Sequence, residues 1–328
     1  DAYATTAVAL VERESVPKGA VAWIAAGIGL LVDRELRAVV VSPTGQGELW
    51  QASWRWWKER PRVALGFAAP RTGWLPGVWR VDGSWEAETY TGGIREERTS
   101  GGVSASDWLT GNLRYELNLG LDSWTGGLLP DRRQAVALGG RAHGRAFADR
   151  LRLTGAVQQW MPMDESASFR SLSGRATFRT TGDRDRTAVL ATVAMDDVSG
   201  PAPLTVWPGA GGGHARPALL RAHPLNIVGG PAFGQRLASG TLEAQRWFRG
   251  LPGRPAVPAV RWGLAAFVDA ARTSRPLANP GPSAADSDRQ VDAGAGLRLR
   301  LRDVVLRVDY AHGLRDGANA VTVAFEGF

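Results

Sequence analysis

The stretch LLRAHPL sets one arginine, Arg221, among apolar neighbours, in a segment poor in strand patterning that begins GAGGGH. Arginine is permanently charged, and its planar fork can hold a carboxylate through two parallel hydrogen bonds. Two carboxylates stand in the patterned segments that follow. Glu243 lies in GTLEAQRW after Gly240, and Asp269 lies in AAFVDAA after Phe267. Residues for bond-breaking chemistry are missing as a set. The chain has no cysteine, which removes thiolate ligands, disulfides and cysteine nucleophiles. Its histidines, His143, His214, His223 and His312, lack metal-ligand spacing. GAGGGHARP lacks the Gly-Lys-Ser/Thr of a phosphate loop and reads as a flexible loop base. No nucleophile elbow is present. The expectation is a protein that is not an enzyme, with no cofactor and no metal.

The elements that would carry these residues have a period of two. In VWRVDGSWEAETY, Trp79, Val81, Gly83 and Trp85 alternate with Arg80, Asp82, Ser84 and Glu86. LRYELNLGLD, RLRLTGAVQ and LRLRLR repeat the pattern. Strict alternation of this length marks strands with one apolar and one polar face. A soluble β-sandwich also alternates, but its strands run to about 5–6 residues. These are longer, their polar faces are densely charged, and tryptophans such as Trp50, Trp54, Trp108, Trp124, Trp160, Trp247 and Trp262 recur near their ends. Strands of about 10 residues, apolar outward and polar inward with aromatic girdles, are the mark of an outer-membrane barrel.

Strands are expected near 20–31, 36–43, 47–57, 61–70, 77–91, 95–108, 113–124, 133–147, 150–162, 167–180, 185–197, 236–249, 258–271, 291–302, 304–314 and 319–328. The fold class is therefore all-β, a transmembrane antiparallel barrel of about 16 strands spanning 20–328. The long connections, 198–235 and 272–290, both follow odd-numbered strands, whereas TGQ and Asp303 follow even ones. Short turns face the periplasm and long loops face outside. The N-terminus is accordingly periplasmic, with residues 1–19 a periplasmic segment or the remnant of an upstream domain. The uncharged run 19–32 is too short for a membrane helix.

The net charge of +7 comes almost wholly from arginine, spread along the chain among Asp and Glu. A nucleic-acid binder would gather its basic residues on one face, so no nucleic-acid partner is expected.

The last five strands and the loop before them resemble the BamA/TamA-like outer-membrane protein superfamily, the bacterial surface antigen family that includes the two-partner-secretion transporters. The features are LLRAHPL, the G-x-x-E of Gly240 and Glu243, the F-x-D of Phe267 and Asp269, then VDAGAGLRLRL, LRVDYAHGL and a terminal Phe328. The resemblance covers about 200–328 by motif and 20–199 by architecture. It implies that the long loop, 198–235, folds from the extracellular side into the lumen. Leu220 and Arg221 match the start of the family's loop tip, while Ala222 replaces its glycine and His223 its aromatic. Ala271 stands where glycine is expected after Asp269. It further implies that Arg221 docks on Asp269, with Glu243 as second acceptor, against the plain alternative of a solvated loop arginine.

Val321, Val323 and Phe325 share one face of the closing strand, and Phe328 falls on the other. Relatives open at the seam between first and last strands, here Ile24, Gly27 and Gly29 against Val321 and Val323. The glycines either weaken pairing there or relieve crowding. The implied function is insertion, translocation or anchoring of polypeptide at the bacterial outer membrane. The alternatives are an accessory barrel that holds a partner without transport, and a diffusion pore whose charged lumen sets ion selectivity. The expected partners are outer-membrane lipid, lipopolysaccharide and a periplasmic or outer-membrane protein. Relatives carry periplasmic POTRA domains ahead of the barrel.

Overall fold

The computed structural model describes residues 34–73, 76–128, 132–181, 186–211, 216, 218–223, 232–249, 260–276, 289–301 and 304–327, together with Gly27 and Leu30. It is an all-β chain. The first seven strands are β1 (Glu35–Val41), β2 (Leu49–Arg55), β3 (Arg62–Arg71), β4 (Gly77–Thr89), β5 (Arg95–Thr110), β6 (Leu113–Gly126) and β7 (Arg133–Ala146). The next three are β8 (Leu151–Pro162), β9 (Phe169–Arg179) and β10 (Ala188–Ser199). After the long connection come β11 (Gly234–Arg249), β12 (Val260–Pro276), β13 (Arg289–Leu301), β14 (Val304–Gly313) and β15 (Asn319–Gly327).

All fifteen form one sheet in sequence order, each antiparallel to the next. They correspond one for one to the strands expected from 36–43 onward. The strand expected at 20–31 is not among them. Its two described residues, Gly27 and Leu30, are helical, while Ile24 and Gly29 lie outside the described residues. The other residues of 20–31 lie outside the described residues as well. Among the described residues no ladder joins β1 to β15.

The polarity of the sheet is inverted relative to a protein that faces water on its outside. Leu117, Leu119 and Leu121 on β6 are 58%, 50% and 57% exposed. Leu65, Val81, Leu172, Val193, Leu242, Leu297 and Val321 are exposed likewise. The buried set instead includes Glu88, Glu96, Asp122, Glu243, Asp269, Asp292, Arg298 and Asp309. Alternation thus sends apolar side chains outward and charge inward. Among the described residues no helix is long and apolar enough to cross a membrane.

The sheet is curled around the segment that joins β10 to β11. Arg216 of that segment pairs with Glu88 on β4, and Arg221 pairs with Asp309 on β14. Strands about 4.8 Å apart would put β4 and β14 roughly 48 Å apart in a flat sheet. Five residues of chain reach about 18 Å. Only a sheet whose inner face wraps the segment brings both walls within range. The same rim, where β10 ends, also holds the ends of β4, β6 and β8, because the strands alternate in direction.

Candidate functional site

The site lies where the connecting segment meets β11 to β14. Glu243, Asp269 and Asp309 stand on three of these strands at inward positions, and each is nearly fully buried. Arg221 comes among them at 2% exposure. Its Nη1 lies 2.7 Å from Glu243 Oε2 and 3.3 Å from Asp309 Oδ2. Its Nε lies 3.1 Å from Asp269 Oδ2, and its Nη2 donates to Asp269 Oδ1 at 3.4 Å. One guanidinium therefore serves three carboxylates. Arg221 meets Asp269 at two points and Glu243 at one shorter contact, with Asp309 as a third carboxylate.

The carboxylates are shared with the wall. Arg298 Nη2 donates to Glu243 Oε1 at 2.8 Å, and Arg298 Nη1 donates to Asp309 Oδ1. Arg307 Nη2 donates to Asp309 Oδ2 at 3.0 Å. Such a network fixes a geometry more than it adds stability, because each buried charge gives up its hydration. Phe267 forms the floor. Its ring centroid lies 3.7 Å from the Arg221 guanidinium carbon, a cation over an aromatic face. Gly294 and Gly296 open the space. A Cβ on Gly294 would meet Phe267 Cζ at 2.5 Å, and one on Gly296 would meet Arg298 Nη1 at 2.6 Å and also Asp309 Oδ1.

The residues beside Arg221 have their own partners. Leu220 is buried against Ala218, Leu237 and Ala271. The methyl of Ala222 packs with Phe267 and Ala311. The Ala222 N–H donates to Asp292 Oδ2 at 2.7 Å. His223 sits between two carboxylates, with Nδ1 3.0 Å from Asp292 Oδ1 and Nε2 2.7 Å from Asp316 Oδ2. The hydrogen bond to Asp292 raises the imidazole to about 9; partial burial opposes this and Asp316 adds to it. His223 is thus cationic at neutral pH. Four buried carboxylates, Glu243, Asp269, Asp292 and Asp309, face three guanidiniums and this imidazolium.

A second anchor, absent from the sequence reading, holds the other end of the segment to the opposite wall. Arg216 forks onto Glu88, Nη1 to Oε1 and Nη2 to Oε2, both at 3.0 Å. Tyr90 donates to Glu88 Oε2 at 2.7 Å. Glu96 accepts the N–H groups of Leu204 and Thr205 at 3.1 and 2.7 Å, at the start of a 3₁₀ turn, Leu204–Val206. Tyr90, Trp124, Trp160, Phe169, Trp207 and Phe233 close over this turn as one buried cluster. The start of the GAGGGHARP stretch is paired, and residues 212–215 and 217 lie outside the described residues. Gly209 bridges Phe233, Ala210 bridges Ala218, and Gly211 N–H donates to Ala218 O at 3.0 Å.

The remaining sequence candidates fall elsewhere. Gly240 on β11 pairs with Val193 and Ala270, on the face opposite Glu243. Val321, Val323 and Phe325 stand opposite Tyr310, Val308 and Leu306 in the β14–β15 ladder, and Val321 is exposed on the outer face. Phe328 and His214 lie outside the described residues. Among the described residues no group of His, Asp and Glu could hold a metal ion. Asp292 and Asp309 could have been found in the sequence: they follow Asp269 at inward positions on successive strands, and Asp292 pairs directly with Asp269 in the ladder. Three acidic residues on one inner wall call for a cation from elsewhere.

No protein-family model matches the chain, and no curated protein matches it. Solved structures do. CdiB from Escherichia coli aligns with a TM-score of 0.58 at 16% identity, over 89% of this chain and 58% of that one. CdiB from Acinetobacter baumannii aligns with a TM-score of 0.54 at 12% identity, over 89% and 55%. The chain spans a little over half the length of those two proteins, and the likeness is one of fold.

Proposed function

We propose that the chain is the membrane-spanning barrel of a non-enzymatic polypeptide transporter of the bacterial outer membrane. In this reading its N-terminal end is periplasmic and its 198–235 segment enters from outside as a plug. The apolar outer face meets outer-membrane lipid and lipopolysaccharide, and the lumen passes or inserts a protein partner. The observation that carries it is Arg221, buried among Glu243, Asp269 and Asp309. A segment fixed to the inner wall by charge can be released without unfolding the wall. The fold shared with CdiB and the motif order of the last five strands support the same reading.

The absence of cysteine gives a clean test. Ala222 and Ala311 pack together, so Ala222→Cys with Ala311→Cys would lock the segment when oxidised. The protein is placed in vesicles loaded with protease, and an unfolded outer-membrane polypeptide is added outside. Cleavage with the wild type and the reduced double variant, and none with the oxidised one, is the expected result. Equal cleavage when locked would exclude plug release from the mechanism. An accessory barrel would give no cleavage in any state, and a diffusion pore would give steady ion conductance without cleavage.

A further inference from the structure

The outward face changes character along one rim. Where β10 ends, several outward positions near the rim of the neighbouring strands are basic. Arg170 on β9 has the parity of the exposed Leu172, and Arg236 on β11 that of Leu242. Arg272 on β12 has the parity of Val268, and Arg289 on β13 that of Leu297. All four are exposed. The ladders set them side by side: Arg170 is opposite Ser199, Asp197 opposite Arg236, Ala238 opposite Arg272, and Arg272 directly opposite Arg289. Asp197 is the acidic member of the row and pairs with Arg236. Arg315, in the β14–β15 turn, donates Nη1 to Arg289 O at 3.0 Å and extends the row.

The rim over β5 to β8 is different. Arg95 there is matched by Glu97 at 3.6 Å and Arg132 donates to Ser123 Oγ at 3.1 Å, and the outward positions nearby are Thr125, Gln134 and Gln159. The basic row is densest over β9 to β13. It spans four strand gaps, about 19 Å, directly above the apolar belt. Guanidinium forks suit phosphate oxygens.

We infer that Arg170, Arg236, Arg272 and Arg289 form a docking arc for the phosphates of membrane lipid, selecting a phosphate-bearing anionic headgroup over a zwitterionic one. This rests on the reading that the outer face lies in a bilayer. The arc would fix one side of the barrel, next to the arginine centre of β11 to β14, against the headgroup layer.

The test uses the full chain folded in detergent and native mass spectrometry. The protein is offered equal amounts of phosphatidic acid and phosphatidylcholine with the same acyl chains. The wild type is expected to retain phosphatidic acid with a several-fold preference. Arg170→Gln/Arg272→Gln/Arg289→Gln should reduce the ratio to near parity, and Arg289→Gln alone should reduce it partly. Arg95→Gln/Glu97→Gln, on the same rim but over β5, should keep the wild-type ratio. No preference in the wild type, or an undiminished one in the triple variant, overturns the arc. Insertion into neutral phosphatidylcholine vesicles is measured alongside. Failure to insert overturns the bilayer reading and the arc together, whereas insertion without lipid preference overturns the arc alone.

Discussion

The Arg221 guanidinium carbon lies 3.7 Å from the centroid of the Phe267 ring, and the same guanidinium contacts Glu243, Asp269 and Asp309. The aromatic face covers the side of the arginine that no carboxylate reaches. Removing the arginine leaves three buried carboxylates short of a cation. Arg221→Ala is therefore expected to cost about 3–5 kcal/mol of stability, read as a lower denaturant midpoint in detergent. Arg221→Lys should recover only part of this, because an ammonium has no planar fork to stack on Phe267. Equal midpoints for wild type and Arg221→Ala would contradict the network.

Arg216 and Glu88 form the second anchor, and each is nearly buried. A double-mutant cycle with Arg216→Gln and Glu88→Gln should give a coupling of about 1–3 kcal/mol. A cycle between Arg216 and Arg221 variants should be close to additive, since the two touch different walls. Strong coupling there would mean that the segment releases as one unit.

His223 makes the tip sensitive to alkali. Its folded value is raised to about 9 from 6.5. Its contribution to stability is thus complete below about 6.5 and lost as pH rises through about 9. Protease resistance of the 216–223 segment should fall between those limits. His223→Asn should flatten that profile while leaving the Arg221 contacts in place. A wild-type profile that is already flat between pH 6 and 10 would show that the imidazolium is not holding the tip.

Fifteen strands were legible because each alternates for long enough to fix its own register. The arginine was legible because it is the one charge in an apolar run. Asp292 and Asp309 follow Asp269 at inward positions on successive strands, a signal the sequence carries. Arg298 looks like any other inward charge on a barrel strand, and only the fold brings it to Asp309 and Glu243. Arg216 was hidden further, since its partner Glu88 lies on the far wall and the glycines before it suggested slack chain.

Gly296 leaves the room in which Arg298 and Asp309 meet. Gly296→Ala should destabilise by about 1–3 kcal/mol through overpacking. Gly155, with open space around its Cβ direction, offers the control. Gly155→Ala is expected to be near neutral, and similar losses at both sites would point to a general effect of strand glycines.

Leu119 is exposed on the outer face and Asn118 faces inward beside Gly139. In a bilayer, Leu119→Arg should cost about 2–4 kcal/mol near the midplane, whereas Asn118→Arg meets the polar interior. Folding yield into vesicles separates the two. Equal yields would deny that this face contacts lipid.

The central claim is that the segment around Arg221 is docked inside the sheet. A single cysteine at Ala222, in a chain that has no other, measures this directly in the protein reconstituted in vesicles. The account predicts that Ala222→Cys resists a bulky water-soluble maleimide, and that adding Arg221→Ala makes it react readily. Rapid labelling of Ala222→Cys with Arg221 intact would contradict it.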